Sequence, residues 1–198
     1  ALGKIPIDVN QMGVDVMSVS GHKIYGPKGI GALYVRRKAR LKFDPLMSGG
    51  GQEMGLRSGT LAPAQCVGFG EACALAHKEY ENEGVRLELL FEHFMEGVGN
   101  RLEGVSLNGH RTRRFRGNIN LSFEDVRADL LLSSLRGLAI SSSAACASAA
   151  REPSYVLQAI GLDEASVESS LRFGIGRFTT EAEIDYAVEA VVTAVQQI

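Results

Sequence analysis

The sequence predicts a mixed chain with an α/β pattern in its first part and an α+β pattern in its second. Three observations predict this class. Two apolar stretches, residues 14–19 and 30–35, flank a glycine-containing turn and are typical of strands. A helical pattern then runs from Pro63 to about Asn100. Beyond it, short strands that alternate apolar and polar residues are mixed with helices.

Composition limits the functional classes. The chain has 198 residues, enough for one core or about one and a half domains. Its formal net charge of −2 gives no general attraction to nucleic acids or membranes, and no apolar run reaches transmembrane length. The three cysteines do not have the spacing of a disulfide framework or a zinc site, which favours a reducing, intracellular setting. The chain begins at Ala1 and ends at Ile198 inside apolar patterns, so we expect a part of a larger protein.

The turn between the first two strands carries Ser20, His22 and Lys23. A lysine held between two buried strands loses its proton readily, and a neutral amine can form a Schiff base with an aldehyde cofactor. These residues are equally compatible with a hairpin that has a basic turn, and both interpretations stay open at this point.

The helical stretch after Pro63 is expected to break or kink at Gly84. Cys66 and Cys73 lie seven residues apart on one face, which predicts buried structural thiols. His77 and His93 stand among lysines and glutamates, and we expect surface residues rather than metal ligands.

Three loops have compositions that bear on function. The basic tract 36–42 is either a solvated strand end or a docking patch for an acidic partner. Residues 48–60 combine consecutive glycines with an Arg-Ser-Gly-Thr turn, which can direct N–H groups and a hydroxyl at an anion. The run 111–116 contains arginines but a single aromatic, and we expect an exposed loop there rather than a nucleic-acid site.

The second part predicts several short elements. Strands are expected at 104–107, 118–123, 138–141 and 170–175, and helices at 128–135 and 153–160. Within the last strand, Arg172 lies on the face opposite Leu171 and Phe173, where it could pair bidentately with a carboxylate. The final helix should open with a capping box formed by Thr180 and Glu183.

Residues 142–150 are only serine, alanine and cysteine. They lack the bulk of a core element, which predicts a loop that can move. Cys146 is the cysteine placed where a thiolate could reach a substrate. The alternative is a half-buried loop cysteine without a role.

Four motifs, in this order, resemble the cysteine desulfurases of the IscS/NifS group, which are pyridoxal-phosphate-dependent enzymes with the class V aminotransferase fold. They are the lysine turn at 20–29, the glycine loop at 49–60, the cysteine segment at 141–157 and the arginine strand at 172–181. The resemblance covers essentially the whole chain. It implies the end of a large cofactor domain of fold type I, residues 1–80, and a small α+β domain, residues 81–198.

The resemblance also implies roles at the cofactor. Lys23 would form the Schiff base with pyridoxal phosphate and move protons on the substrate. Ser20 and His22 would bind the cofactor phosphate, and His22 would belong to the catalytic group. Thr60 would bind the phosphate of the neighbouring subunit's cofactor, so the site would be completed across a homodimer.

For the substrate, the resemblance implies that Cys146 takes sulfur from L-cysteine as a persulfide and leaves alanine, while Arg172 holds the substrate carboxylate. The sulfur would pass to an iron–sulfur scaffold or a sulfur-carrier protein. The expected location is the cytoplasm, or the mitochondrial matrix in a eukaryote, with no metal and no membrane partner.

The chain departs from the family pattern at several positions. Ser143, Ala144 and Ala147 stand where the family has other small residues, and Met54 where arginine is common. The family's remaining cofactor contacts would come from a half upstream of Ala1, so this chain alone should be incomplete as an enzyme. Two alternatives remain: a selenocysteine lyase or other lyase of the same fold, and a non-catalytic fragment that binds partners through residues 36–42.

Overall fold

The computed structural model describes residues 1–37, 41–141 and 153–198, and it divides the chain into two compact units, Ala1–Glu81 and Asn82–Ile198. The strands are β1 Val16–Ser20, β2 Gly31–Val35, β3 Val105–Leu107, β4 Asn118–Phe123 and β5 Ser170–Gly174. The α-helices are α1 Pro63–Gly99, α2 Ala128–Ser134, α3 Tyr155–Ala159, α4 Glu164–Glu168 and α5 Glu181–Gln197. The assignment of residues 1–80 and 81–198 to a large and a small enzyme domain stays a prediction. Across the described ranges, no helix is long and apolar enough to cross a membrane.

The first unit is built on an antiparallel hairpin. β1 pairs with β2, with Ser20 opposite Gly31. Gly31 is required there because a Cβ atom would lie 2.2 Å from the carbonyl oxygen of Val19. Residues Gly21–Ile24 form a 3-10 turn, and Tyr25 ends it in the left-handed region with φ 64°. The hairpin, one of the two interpretations of this stretch, is therefore the observed local structure.

The core of the first unit is small. Ile24 packs with Ala72 and Ala76 of α1, and Phe69 and Leu2 lie at its margin. Leu33 on β2 stays 53% exposed, so the apolar character of this strand does not make it a buried one within the unit.

Helix α1 is continuous through Gly84, so the predicted break there is wrong. A single glycine inside a helix costs only about 1 kcal/mol relative to alanine. The flanking residues offset that cost: Leu87, Leu90, Phe91 and Phe94 are all buried in the core of the second unit.

The second unit contains a three-stranded antiparallel sheet in the order β3-β4-β5. Its strands alternate strictly, so that Ile119, Leu121 and Phe123 of β4 lie on one face and are buried. This face packs on α1 and α5 in a single large core; the rings of Phe94 and Phe173 have centroids 5.1 Å apart. The opposite face carries polar residues, and it is the face on which the candidate site forms.

Strands β4 and β5 and the capping box of α5 confirm their predictions. Residues 138–141 do not form the predicted strand: only Ser141 makes a bridge, with Arg172. Helix α3 begins at Tyr155 with Ser154 as its N-cap, so Pro153 precedes the helix instead of occupying its first turn. Ser154 Oγ accepts a hydrogen bond from the Leu157 N–H and takes the capping role at this start.

Candidate functional site

The lysine turn presents its reactive side chains outward. In a 3-10 turn, residues three apart share a face, and here Gly21 and Ile24 face the core. His22 and Lys23 are therefore exposed, and the expectation of a buried lysine is wrong within this unit. The physical reason is that one hairpin and one helix leave most of this turn uncovered.

Ser20 closes β1 and is half-buried directly before the turn. Within the described part of the chain, the side chains of Ser20, His22 and Lys23 make no hydrogen bond or ion pair. A hydroxyl, an imidazole and a primary amine thus lie within four residues with their polar atoms uncommitted. This donor set can hold a phosphate and react with an aldehyde.

The loop before α1 is held by its own side chains. Ser58 Oγ donates to the carbonyl of Gly50 at 3.0 Å, and the Gly59 N–H donates to Gln52 Oε1 at 3.2 Å. Arg57 donates to the carbonyl of Gly59 at 2.8 Å. These bonds fix the chain immediately before Thr60, whose side chain is exposed and faces solvent within the unit.

The basic tract is not uniformly solvated. Arg36 donates to the carbonyls of Val9 and Val14 at 2.6 and 2.8 Å, and its Nε lies 2.9 Å from an Asp15 carboxylate oxygen. It fastens the strand end to the preceding segment, which removes it from the proposed docking patch. Residues 38–40 lie outside the described residues.

In the second unit, a cleft of about 290 Å³ opens on the polar face of the sheet. Arg172 of β5 and Asn118 and Asn120 of β4 form its floor. Side chains from α3 and its N-cap form one wall, and residues of the loop before β4 form the other. The described residues that line it are Asn108, Gly109, His110, Arg114, Phe115, Asn118, Asn120, Ser154, Val156, Leu157, Ile160 and Arg172.

The electrostatics of this cleft favour an anion. Two guanidinium groups, those of Arg114 and Arg172, line it, and the lining given above includes no aspartate or glutamate. Arg172 is half-buried and forms no side-chain hydrogen bond or ion pair with the residues the structure describes. A guanidinium without a protein partner in a polar cleft can bind a carboxylate bidentately.

Arg172 also lies beside the start of the cysteine segment. Its N–H donates to the carbonyl of Ser141 at 2.6 Å, and the Ser141 N–H donates back at 3.2 Å. Ser154, near the end of the same segment, lines the same cleft. Cys146 itself lies outside the described residues.

The arginines before β4 are not all exposed, in contrast to the prediction for this loop. Arg114 donates to the carbonyls of Asn108 and Asn118, and the guanidinium groups of Arg114 and Arg116 lie over the ring of Phe91 at 5.5 and 4.6 Å from its centroid. Burial lowers the pKa of Arg114, and repulsion from Arg116 lowers it further. The sequence of this run contains a single aromatic residue, and it does not reveal that the arginines contact an aromatic ring from elsewhere in the chain.

The remaining cysteines and histidines fit structural roles only in part. Cys66 and Cys73 are half-buried, not fully buried as expected, because α1 meets only a small core here. Burial raises the pKa of the Cys73 thiol, which keeps it protonated and weakly nucleophilic. His77 is exposed, and His93 lies at the surface with its Nε2 2.6 Å from an Asp185 carboxylate oxygen.

Comparison with known proteins extends these observations. The chain is 56% identical over 191 residues to a mitochondrial cysteine desulfurase of Arthroderma benhamiae, covering 96% of this chain and 38% of the relative. It is 55% identical over 198 residues to the Arabidopsis thaliana mitochondrial cysteine desulfurase, covering 100% and 44%. It is 50% identical over 196 residues to cysteine desulfurase IscS of Rickettsia bellii, covering 99% and 48%. The chain thus spans about half the length of the relatives it matches, or less.

Solved structures agree on the fold. A NifS-like protein superposes with a TM-score of 0.87 at 29% identity, covering 100% of this chain and 51% of that structure. DndA from Streptomyces lividans superposes with a TM-score of 0.69 at 35% identity, covering 88% and 49%. These neighbours confirm the predicted fold class, and the relatives confirm the resemblance to cysteine desulfurases. The family model "Aminotransferase class-V" matches residues 1–187. The chain therefore belongs to this family of pyridoxal-phosphate-dependent enzymes.

Proposed function

We propose that this chain is the C-terminal portion of a cysteine desulfurase, which removes sulfur from L-cysteine, releases L-alanine and holds the sulfur as a persulfide. The observation that carries the proposal is Arg172, whose guanidinium has no partner among the described residues, in a cleft whose described lining has no carboxylate; its backbone is bonded to Ser141. The predicted nucleophile, Cys146, follows Ser141 by five residues. The residue proposed to bind the substrate carboxylate therefore lies beside Ser141, from which the cysteine segment begins.

The residues of the lysine turn fit pyridoxal phosphate. Ser20 and His22 supply a hydroxyl and an imidazole for the phosphate, and Lys23 supplies the amine for the aldehyde. When bound, the cofactor supplies an electron sink for the substrate carbon. In this proposal Lys23 Nζ holds the cofactor and moves the proton of the substrate α-carbon. His22 lies in the same turn and belongs to the same catalytic group.

The sulfur transfer balances within these groups. The Cys146 thiolate attacks the sulfur of L-cysteine, so a sulfur–sulfur bond forms and the carbon–sulfur bond breaks. The electron pair of the broken bond stays with the substrate carbon, which takes up a proton and becomes the methyl group of alanine. Arg172 binds the substrate carboxylate and orients the sulfur toward the thiolate.

The assembly and destination of the sulfur are also proposals. Thr60 is exposed, and hydrogen bonds within its own loop hold that loop in place. It therefore suits a contact with the cofactor phosphate of a second subunit, in a homodimer. The names of the relatives give the desulfurase activity, and iron–sulfur assembly is the destination that we propose for the sulfur. A scaffold or sulfur-carrier protein would accept the sulfur, in the mitochondrial matrix or in the bacterial cytoplasm.

The test uses the full-length protein. The visible absorbance of the bound cofactor should disappear in Lys23→Ala, and alanine release from L-cysteine should disappear with it. Arg172→Lys should keep the absorbance and raise KM for L-cysteine by about 10- to 100-fold, because a point charge replaces a bidentate donor. Unchanged KM in Arg172→Lys, or full absorbance in Lys23→Ala, would contradict the assignment.

A further inference from the structure

Asn120 lies opposite Arg172 in the sheet. The two residues are direct partners across β4 and β5. The backbone N–H and carbonyl of Arg172 are both bonded to Ser141, and the carbonyl of Asn120 accepts from the Asn108 N–H at 2.9 Å. The bonded backbone groups of Arg172 and Asn120 therefore point away from the other residue, which makes the two a non-hydrogen-bonded pair. In such pairs the side chains approach most closely and lie on the same face.

A buried network fixes which end of the Asn120 amide reaches the cleft. Asn108 is buried, and its Nδ2 donates to Asn120 Oδ1 at 2.7 Å and to the hydroxyls of Ser122 and Ser170 at 2.8 and 3.0 Å. Each hydroxyl has one hydrogen, which goes to the carbonyl of Ser166 or to the other hydroxyl 2.9 Å away, so both accept from Asn108, whose two hydrogens are shared among the three oxygens. Asn108 must therefore present its nitrogen. Asn120 in turn must present its oxygen to Asn108.

The Asn120 amide therefore has an N–H donor beside Arg172 that no described residue engages. With Oδ1 engaged, Asn120 Nδ2 carries two hydrogens that meet no acceptor among the residues the structure describes. This amide lines the same cleft as Arg172. An N–H donor next to an arginine suits one of the lone pairs that remain on a carboxylate after the guanidinium has bound both of its oxygens.

We infer that Asn120 is a second carboxylate-binding residue of the substrate site and that Asn108 is its positioning residue. This inference rests on the proposed function, in which the ligand is an amino acid held by Arg172. Arg172 supplies the charge, and Asn120 Nδ2 fixes the orientation of the carboxylate plane. The cleft thereby selects α-amino acids over amines that lack the carboxylate.

The experiment compares two ligands on the full-length enzyme. L-Serine has the carboxylate but no thiol to give up sulfur, and ethanolamine lacks the carboxylate. Calorimetry should show that Asn120→Ala weakens L-serine binding about tenfold, as expected for one hydrogen bond to a charged group, and leaves ethanolamine within about twofold. Asn120→Asp keeps an oxygen for Asn108 but opposes the ligand with a negative charge, and should weaken L-serine by about 100-fold. The control Asn100→Ala, an exposed amide after α1, should change neither.

Three results would overturn the inference: equal weakening of both ligands by Asn120→Ala, which indicates a structural role; unchanged L-serine binding in both Asn120 variants; or a wild type that does not distinguish the two ligands. If Asn120→Ala does not fold, Asn120→Asp decides alone. The proposed function fails separately. A wild type that prefers L-serine in an Asn120-dependent way, yet forms no persulfide from L-cysteine, would refute the desulfurase and support the carboxylate site.

Discussion

Arg86 holds the loop that follows the arginine strand, and its removal gives a sharp test of the second unit. From α1, Arg86 donates to the carbonyls of Thr179 and Gly176, each at 2.6 Å, and to the carbonyl of Arg177 at 2.8 Å. Arg177 itself pairs with the buried carboxylate of Glu83 at 2.9 Å. The loop after β5 is thus held to the helix by the half-buried Arg86 and by the Arg177–Glu83 pair.

The expected effect of Arg86→Ala follows from these bonds. A hydrogen bond from a charged donor contributes about 1.5–3 kcal/mol net. Two of the three bonds share one nitrogen, so we count about two independent bonds with incomplete additivity and expect a loss of about 2–4 kcal/mol in local stability. Such a loss accelerates amide exchange in the loop by at least about 30-fold, because each 1.4 kcal/mol is a factor of ten.

Hydrogen exchange on the full-length protein, followed in the peptide that covers residues 173–180, measures this directly. Arg101→Ala is the matched control, since Arg101 pairs with Glu189 at the surface and, within the described ranges, its side chain makes no bond to this loop. We expect the control to leave exchange in the loop unchanged. An Arg86→Ala variant with the exchange of the wild type would refute the view that this side chain holds the loop.

Three further predictions concern other elements. Thr180→Ala should destabilise α5 by about 1 kcal/mol in thermal unfolding at pH 7, as for other N-caps. The Thr180 N–H and hydroxyl lower the pKa of Glu183 in the folded protein. The stabilisation from this carboxylate is therefore present above its unfolded pKa, about 4.3, and should be lost as pH falls through the lower folded value. Because burial raises the pKa of the Cys73 thiol, its alkylation should need a higher pH than that of free cysteine, and equal pH profiles would contradict this. Gly31→Ala places a Cβ 2.2 Å from the Val19 carbonyl oxygen and should open the hairpin and abolish the cofactor absorbance, whereas full absorbance would contradict the close approach.

The elements that the sequence predicts best are those in which one face is buried. In β4, Ile119, Leu121 and Phe123 all meet the core, and the period of two that places them there is visible in the order of the residues. Arg172 could be placed on the polar face by the same argument. Its pairing with Asn120 could not be predicted, because the register between β4 and β5 is a tertiary property.

Where the predictions fail, tertiary context decides. The exposure of Lys23 depends on what covers the hairpin, and an apolar strand such as β2 does not reveal whether a covering element lies within the same unit. The break expected at Gly84 does not form because long-range burial of Leu87 and Phe91 outweighs one glycine. Residues 138–141 have strand-like composition, but only Ser141 finds a pairing partner there.

The most direct test of the proposed function is the mass of the peptide that contains Cys146, taken from the full-length protein after incubation with L-cysteine and without reductant. The proposal predicts that this peptide gains one sulfur atom, that one alanine is released for each persulfide, and that Cys146→Ser abolishes both. Release of alanine at the wild-type rate from Cys146→Ser, or a wild-type peptide of unchanged mass in the presence of bound cofactor, would contradict it.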